Sequence, residues 1–367
     1  MISIQSILRE VKSMEKLHNA VRRLREIPWI AKVSGTIHRF TQHMEERRAL
    51  ATSHPFWVIV QKEVTDHVRS WRFNILLFLI LLTCFGSLYT SITNLVEETR
   101  KANDADDPFF FLKLFTLSDG SLPPFHVFIG FLGPLLGIGL GFDAINSEQN
   151  SGTLSRIMAQ PIHRDYLINA KFTAALLVIG VMFFALGFLV MGFGIFIIGI
   201  PPTVEEFFRI ICFLLLSVLY VAFWLNLSVF LSIRFRQAAT SALTAIAVWL
   251  FFTVFYQIIV NLVARAMLPS EAASPQQLIG YQQFILNLMR VVPSQLYTDA
   301  TTTLLVPSVR SLGPLTMEQA YGAIPSPLPL GQSLLIVWPQ LTGLVAATVV
   351  CFALSYVSFM RKEIRSR

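Results

Sequence analysis

The sequence has no G-x-x-x-x-G-K-[ST] run, so it lacks the glycine-rich loop that cradles nucleotide phosphates, and any ATP-driven work has to draw on another chain. Its three cysteines, Cys84, Cys212 and Cys351, each fall inside an apolar stretch, which excludes a disulfide framework and a thiolate metal site. The seven histidines follow no H-E-x-x-H or other ligand spacing, which argues against zinc chemistry and leaves no catalytic or metal residues to name. Charge is scarce: only 14% of the residues are Asp, Glu, Lys or Arg. No uninterrupted apolar core follows a positive start before residue 55, so a secretory signal is not expected and the N-terminus is expected inside the cell.

What is present is oil. Of 367 residues 54% are hydrophobic and 31 are phenylalanine, which is too apolar for an ordinary soluble domain of this size. Apolar runs at about 73–93, 125–142, 172–200, 207–233, 242–264 and 334–360 each reach or approach the roughly 20 residues that cross a hydrocarbon core. The expected fold is an all-α polytopic membrane protein with six transmembrane helices. No Asp, Glu or Lys interrupts these runs, and Arg209 sits near an end of one. Proton- or sodium-driven carriers usually need such groups, so a self-contained secondary transporter is disfavoured. The second run is rich in glycine (Gly130, Gly133, Gly137, Gly139, Gly141); small residues permit close helix approach, placing it at a dimer interface or along a route, unless the glycines are merely tolerated.

The net charge of +7 could suggest nucleic acid, but the basic residues collect on one side of the runs. With the N-terminus inside, 22 of the 29 Lys and Arg fall on inner segments, which favours both termini being cytoplasmic. No nucleic-acid partner is expected. Residues 1–54 form a basic cytoplasmic segment whose first part, up to residue 27, is amphipathic; it suits a helix lying on anionic lipid, packed on a partner or loosely solvated. Residues 55–72 read as an interfacial connector helix, with Trp57 and Trp71 at headgroup level. The outer segment 265–333, helix-like over 275–290, suits a cap on an external mouth or a structural lid. A basic tail, 361–367, closes the chain.

The long polar interruption is the loop 143–171. Leu154, Ile157, Met158 and Ile162 recur at near-helical spacing in it, Gly152 can open a short helix, and Pro161 should stop it. The ordered set Glu148, Gly152, Thr153, Leu154, Pro161, Ile162, Arg164 and Lys171, in the pattern E-x-x-x-GTL-x-x-x-x-x-x-P-I-x-R, resembles the first cytoplasmic loop of ABC-type-2 permeases. These are membrane subunits of ATP-driven exporters and include the permease of the nitrous-oxide-reductase maturation system. The resemblance implies six helices, a multi-pass location in the plasma membrane of a prokaryote, a separate ABC ATPase partner that holds ATP and Mg, and pairing as a homodimer or with a second permease. It also implies that Gly152 to Gln160 docks on the ATPase, with Leu154, Ile157 and Met158 as buried anchor, Glu148 and Arg164 bracing the flanks by pairing with each other or with neighbouring helices, and Lys171 at the head of the next helix. No cofactor is expected on this chain itself. Asn226, Gln257 and Asn261 are expected to face the protein interior and to line the route or serve helix packing. A stand-alone channel or carrier, and a membrane scaffold working through its N-terminus, are the alternatives.

Overall fold

The computed structural model describes residues 55–101, 109–118, 120–160, 162–199, 201–269, 274–313 and 327–362. The expected N-terminal amphipathic helix, Pro161 and residues 363–367 lie outside them. The chain divides into two units, Met1–Val58 and Ile59–Arg367. Of the first, only Pro55–Val58 is described, as the opening turn of a helix.

Among the described residues every regular element is helical. In chain order these are α1 (Pro55–Arg69), α2 (Trp71–Lys101), a 3-10 turn (Phe110–Leu112) running into α3 (Lys113–Thr116), α4 (Phe125–Gly141), α5 (Asn146–Asn150), α6 (Thr153–Met158), α7 (Arg164–Ile198) and α8 (Val204–Arg234). There follow α9 (Ala238–Leu250), a π-helical turn (Phe251–Phe255), α10 (Tyr256–Ala266), α11 (Pro275–Met289), α12 (Pro293–Leu305) and α13 (Leu330–Arg361). Six are long and apolar enough to cross a membrane: α2, α4 with its extension to Asn150, α7, α8, the run α9–α10, and α13.

Two span boundaries differ from the sequence expectation in ways that matter. The third span begins at Arg164, so Lys171 lies within the helix rather than at its head. The fourth begins at Val204 and includes Glu205 and Glu206, because Thr203 and Glu206 form a capping box that starts the helix before its apolar run does.

The fourth span is the axis of the bundle. It packs against α4, α7, α9, α12 and α13, and 61% of its apolar window is buried, against 17% for the fifth span and 22% for the sixth. A helix apolar all round belongs in the middle of such a packing, and Phe213, Tyr220, Val221, Trp224 and Leu225 are fully buried on it. Gly133, Gly137 and Gly141 of α4 face this helix. A Cβ on Gly137 would lie 2.8 Å from the Val221 carbonyl oxygen, and one on Gly141 would lie 2.9 Å from that of Leu225. The close approach read from the glycine pattern is therefore made to the fourth span of the same chain.

At the end where the fourth and sixth spans begin, fully buried Arg209 ties three segments together. Its Nη1 donates to the Leu304 carbonyl (2.9 Å) and to Ser333 Oγ (3.3 Å), and its Nη2 donates to Glu205 (3.0 Å) and to the Leu328 carbonyl. Glu205 also accepts the Leu330 amide at 2.8 Å, and Glu206 accepts that of Phe111 at 2.7 Å. A buried guanidinium without such partners would cost several kcal/mol.

The described residues after the fifth span turn back along the bundle. Tyr281 Oη donates to the Ala264 carbonyl and Tyr256 Oη donates to that of Leu288, so α11 runs back alongside α10. Tyr297 then stacks on Tyr220 (4.4 Å between centroids) and bonds Ser217 Oγ (3.0 Å), while Leu304 reaches Arg209. Helix α12 thus climbs antiparallel to the fourth span. At about 1.5 Å of rise per residue, Ser217 lies about 20 Å along its helix from Val204. The pair α11–α12 is a re-entrant hairpin whose turn reaches well into the bundle.

Candidate functional site

Five charged side chains from three elements meet at the opposite end of the bundle. Lys171, on α7, is 5% exposed and places Nζ 2.9 Å from Glu63 Oε2 of α1 and 2.8 Å from Glu148 Oε1 of α5. Lys62 donates to Glu63 Oε1 at 2.8 Å and approaches Asp66 at 3.1 Å and Glu148 at 3.6 Å. Burial would raise the Glu63 pKa, but the Lys171 charge and bonds from both lysines outweigh it and hold the carboxyl below its usual range. Burial likewise opposes the Lys62 charge, and Glu63, Asp66 and Glu148 overcome it, raising that ammonium above its ordinary value. For His67 burial wins over the nearby carboxylates, and its pKa is lowered.

The loop that carries Glu148 is fastened on several sides. Ser232 Oγ of the fourth span accepts the amides of Ile145 (3.0 Å) and Asn146 (3.2 Å), so the turn after α4 is held by α8. Arg72 pairs with Asp143 and lies over the Phe142 ring at 4.8 Å. Asn150 Nδ2 donates to the Arg236 carbonyl at 2.9 Å. Arg164 donates to the Phe359 carbonyl at 2.9 Å and to that of Lys362, and lies over the Phe359 ring at 5.2 Å, clasping the end of the sixth span. Glu148 and Arg164 therefore pair with neighbouring helices and not with each other.

Within this frame Gly152 adopts φ 72°, the left-handed conformation that a residue with a side chain resists, and α6 starts immediately after it. Thr153 Oγ1 bonds the Glu148 carbonyl at 3.2 Å. The expectation that Leu154 is an anchor for a partner's groove is corrected here. Leu154 is 2% exposed within its own chain, so it fastens the stub to the bundle and is not presented outward, while Ile157 and Met158 pack against the same apolar cluster and stay half-exposed. A two-turn amphipathic helix can bury one face, and the bundle takes it. The outward face carries Gly152, Thr153, Arg156, Ala159 and Gln160.

Of the three polar span residues, Asn226 is buried, with its carbonyl accepting Ser355 Oγ (3.1 Å) and its Nδ2 reaching the Thr348 carbonyl (3.5 Å). It joins the fourth and sixth spans. Gln257 and Asn261 are exposed on α10 in the single chain, so no helix of their own chain covers them. A period-based reading of a nearly all-apolar helix has no polar stripe to orient it, so the face toward the bundle was not legible. Glu63 went unselected. Its one signal is its place three residues after Val60, which makes it the acid on the buried face of α1.

A bundle of six membrane helices with a fastened polar loop between the second and third is the architecture of a transport subunit. The chain belongs to the ABC-2 family transporter proteins, whose family model matches residues 57–364. It is also similar to the probable ABC transporter permease protein NosY of Pseudomonas aeruginosa, being 27% identical over 233 residues that cover 60% of this chain and 74% of that one. The protein is a multi-pass membrane permease subunit of an ABC transporter, and its family implies an ATPase partner.

Proposed function

We propose that this chain forms half of an export route in the plasma membrane of a prokaryote, and that the stub α6 is where a separate ATPase subunit pushes. The observation that carries this reading is the buried lysine, Lys171, held between Glu148 beside the stub and Glu63 on the connector helix. Three elements fastened through one ammonium in a low-dielectric site move as a unit, because separating them leaves an unpaired charge. The ATPase meets the outward face, Thr153, Arg156 and Gln160. Leu154, Ile157 and Met158 pass its displacement inward, Arg164 passes it to the end of the sixth span, and Lys171 passes it to the third span and α1. ATP and Mg stay on the partner, which alone carries out hydrolysis. The second half of the route is another copy or a related permease, set against the sparsely buried fifth span.

The test is Arg156→Glu. The variant should insert and keep the parent's thermal stability, while association with the ATPase weakens about tenfold or more and substrate-stimulated ATP turnover falls with it. Association and transport equal to the parent's would sink the assignment of this face.

A further inference from the structure

Between the first and third spans a groove of about 600 Å³ opens on the outside of the bundle, and all twelve side chains that line it are Val, Leu, Phe, Met or Ala. Val64 and Val68 of α1 form its foot, the stripe from Phe73 to Leu81 on α2 forms one wall, and that from Leu177 to Leu189 on α7 forms the other. Val68, Leu177 and Val181 are exposed along its open side. Two contacts frame it. At one end the ion pair of Glu63 and Lys171 ties α1 to α7. At the other, one turn past Leu81 and Leu189, the rings of Phe85 and Phe193 meet edge to face with their centroids 5.9 Å apart. Between these ties the helix is interrupted at Ser70, whose hydroxyl accepts the Phe73 amide at 3.2 Å as α2 starts, and the two spans leave space that no side chain of theirs fills.

Its length decides what fits. At about 1.5 Å per residue the lining runs about 12 Å along α2 and about 18 Å along α7. By the same rise Leu81 lies about 15 Å from Trp71, where α2 begins. Half of a hydrocarbon core of about 30 Å is the same distance. The groove therefore serves one leaflet and ends near the middle of the bilayer, where Phe85 and Phe193 close it. A crossing helix of a second subunit needs a face that continues through both leaflets, and this one stops halfway. A void walled by apolar atoms forfeits the dispersion contacts that close packing supplies, so a chain of methylenes laid in it restores them. The mouth suits the rest of a lipid. Arg69 and Trp71 stand exposed where α1 passes into α2, and a tryptophan ring and the tip of an arginine settle at headgroup level.

We propose that this groove binds one acyl chain of a diacyl phospholipid from the leaflet on the side of the Lys171 cluster, with the headgroup at the level of Arg69 and Trp71. The bound chain fills the wedge between the first and third spans, next to the ion pair that holds α1 to α7.

The full chain purified in detergent, stripped of lipid and titrated with dioleoyl and dihexanoyl phosphatidylethanolamine under native mass spectrometry, tests the site. The long-chain lipid should be retained at least tenfold more strongly, the headgroup being the same. Ala185→Phe and Val68→Phe, which put a ring into the groove, should each cut that retention fivefold or more at a melting temperature no lower than the parent's. Val349→Phe, which adds the same ring to the exposed face of the sixth span, should leave it unchanged. Equal retention of the two lipids would overturn the site, as would retention that Ala185→Phe and Val68→Phe leave as in the parent or that Val349→Phe lowers as much as they do. A disulfide-linked pair formed through Val181→Cys would overturn the lipid as occupant and set a second copy of the chain against the groove.

Discussion

Lys171 and Glu63 meet at 2.9 Å across the junction between the third span and the connector helix, both less than a tenth exposed. An ion pair so buried stabilises little by itself, since the cost of drying two charges offsets most of their attraction. What it does enforce is register. The two helices can slide only by exposing one charge to an apolar surrounding.

Removing one partner should therefore be worse than removing both. Lys171→Met leaves Glu63 and Glu148 with the half-exposed Lys62 as their remaining cation and should cost up to about 3–5 kcal/mol, whereas Lys171→Met with Glu63→Leu should recover much of that loss. Thermal unfolding of the detergent-solubilised chain measures the stability. ATP turnover with the partner measures coupling, which the double variant should not regain. A single variant as stable as the parent would mean the cluster is wet and mechanically irrelevant.

The same cluster sets an acid limit. His67 has a lowered pKa in the folded chain, mainly through burial, with Glu63, Lys171, Asp143 and Asp66 around it. The unfolded chain takes up that proton at about pH 6.5, so stability drops as pH falls below that point. Glu63, held below its usual range, adds a second loss when pH falls through its own depressed value, under the unfolded value of about 4.3. Melting temperature should decline from pH 7 to 5 and more steeply below 4. His67→Gln should flatten only the first decline, and a variant whose profile follows the parent's throughout would remove His67 from the account.

Much of this architecture was legible in the composition. Six apolar runs, one polar interruption and the ordered residues from Glu148 to Lys171 led to the fold and the family. What stayed hidden has a common cause: hydropathy measures how oily a segment is and not which neighbour it faces. Leu154 reads the same whether its partner is an ATPase groove or its own bundle. Arg290 was counted as an outer residue, because no window shows that α11 and α12 turn back between the spans. The glycines of α4 announced a close contact without naming the fourth span as its partner.

That contact gives a sharp steric prediction. At Gly137 even a methyl group would meet backbone, 2.8 Å from the Val221 oxygen and 3.0 Å from the Leu225 nitrogen, and backbone in the central helix has nowhere to go. Gly137→Ala should cost about 1–3 kcal/mol, in the range of overpacked cores. By contrast, a Cβ on Gly180 of the third span meets nothing within 4 Å, so Gly180→Ala should be neutral or slightly stabilising. Equal effects of the two substitutions on melting temperature would show that α4 and α8 are not in backbone contact.

The fifth span offers the clearest view of what the single chain leaves incomplete. Gln257 and Asn261 lie one helical turn apart and both are exposed, among Ile258, Leu262 and Phe255, which are exposed as well. An amide left in hydrocarbon without a partner costs several kcal/mol, so two on one face of a membrane helix call for a polar cover. Lipid tails supply none, whereas a second permease subunit supplies the same amides in return, since a two-fold contact sets a surface against its own copy. The prediction is that Asn261→Cys, in an otherwise cysteine-free chain in native membranes, forms a disulfide-linked pair on mild oxidation, and that Val181→Cys does not. Val181 is 70% exposed on the third span, in a wholly apolar surrounding, and so controls for chance collision. Cross-linking at Val181 and none at Asn261 would place the pairing face elsewhere and leave the two amides to water in an open route.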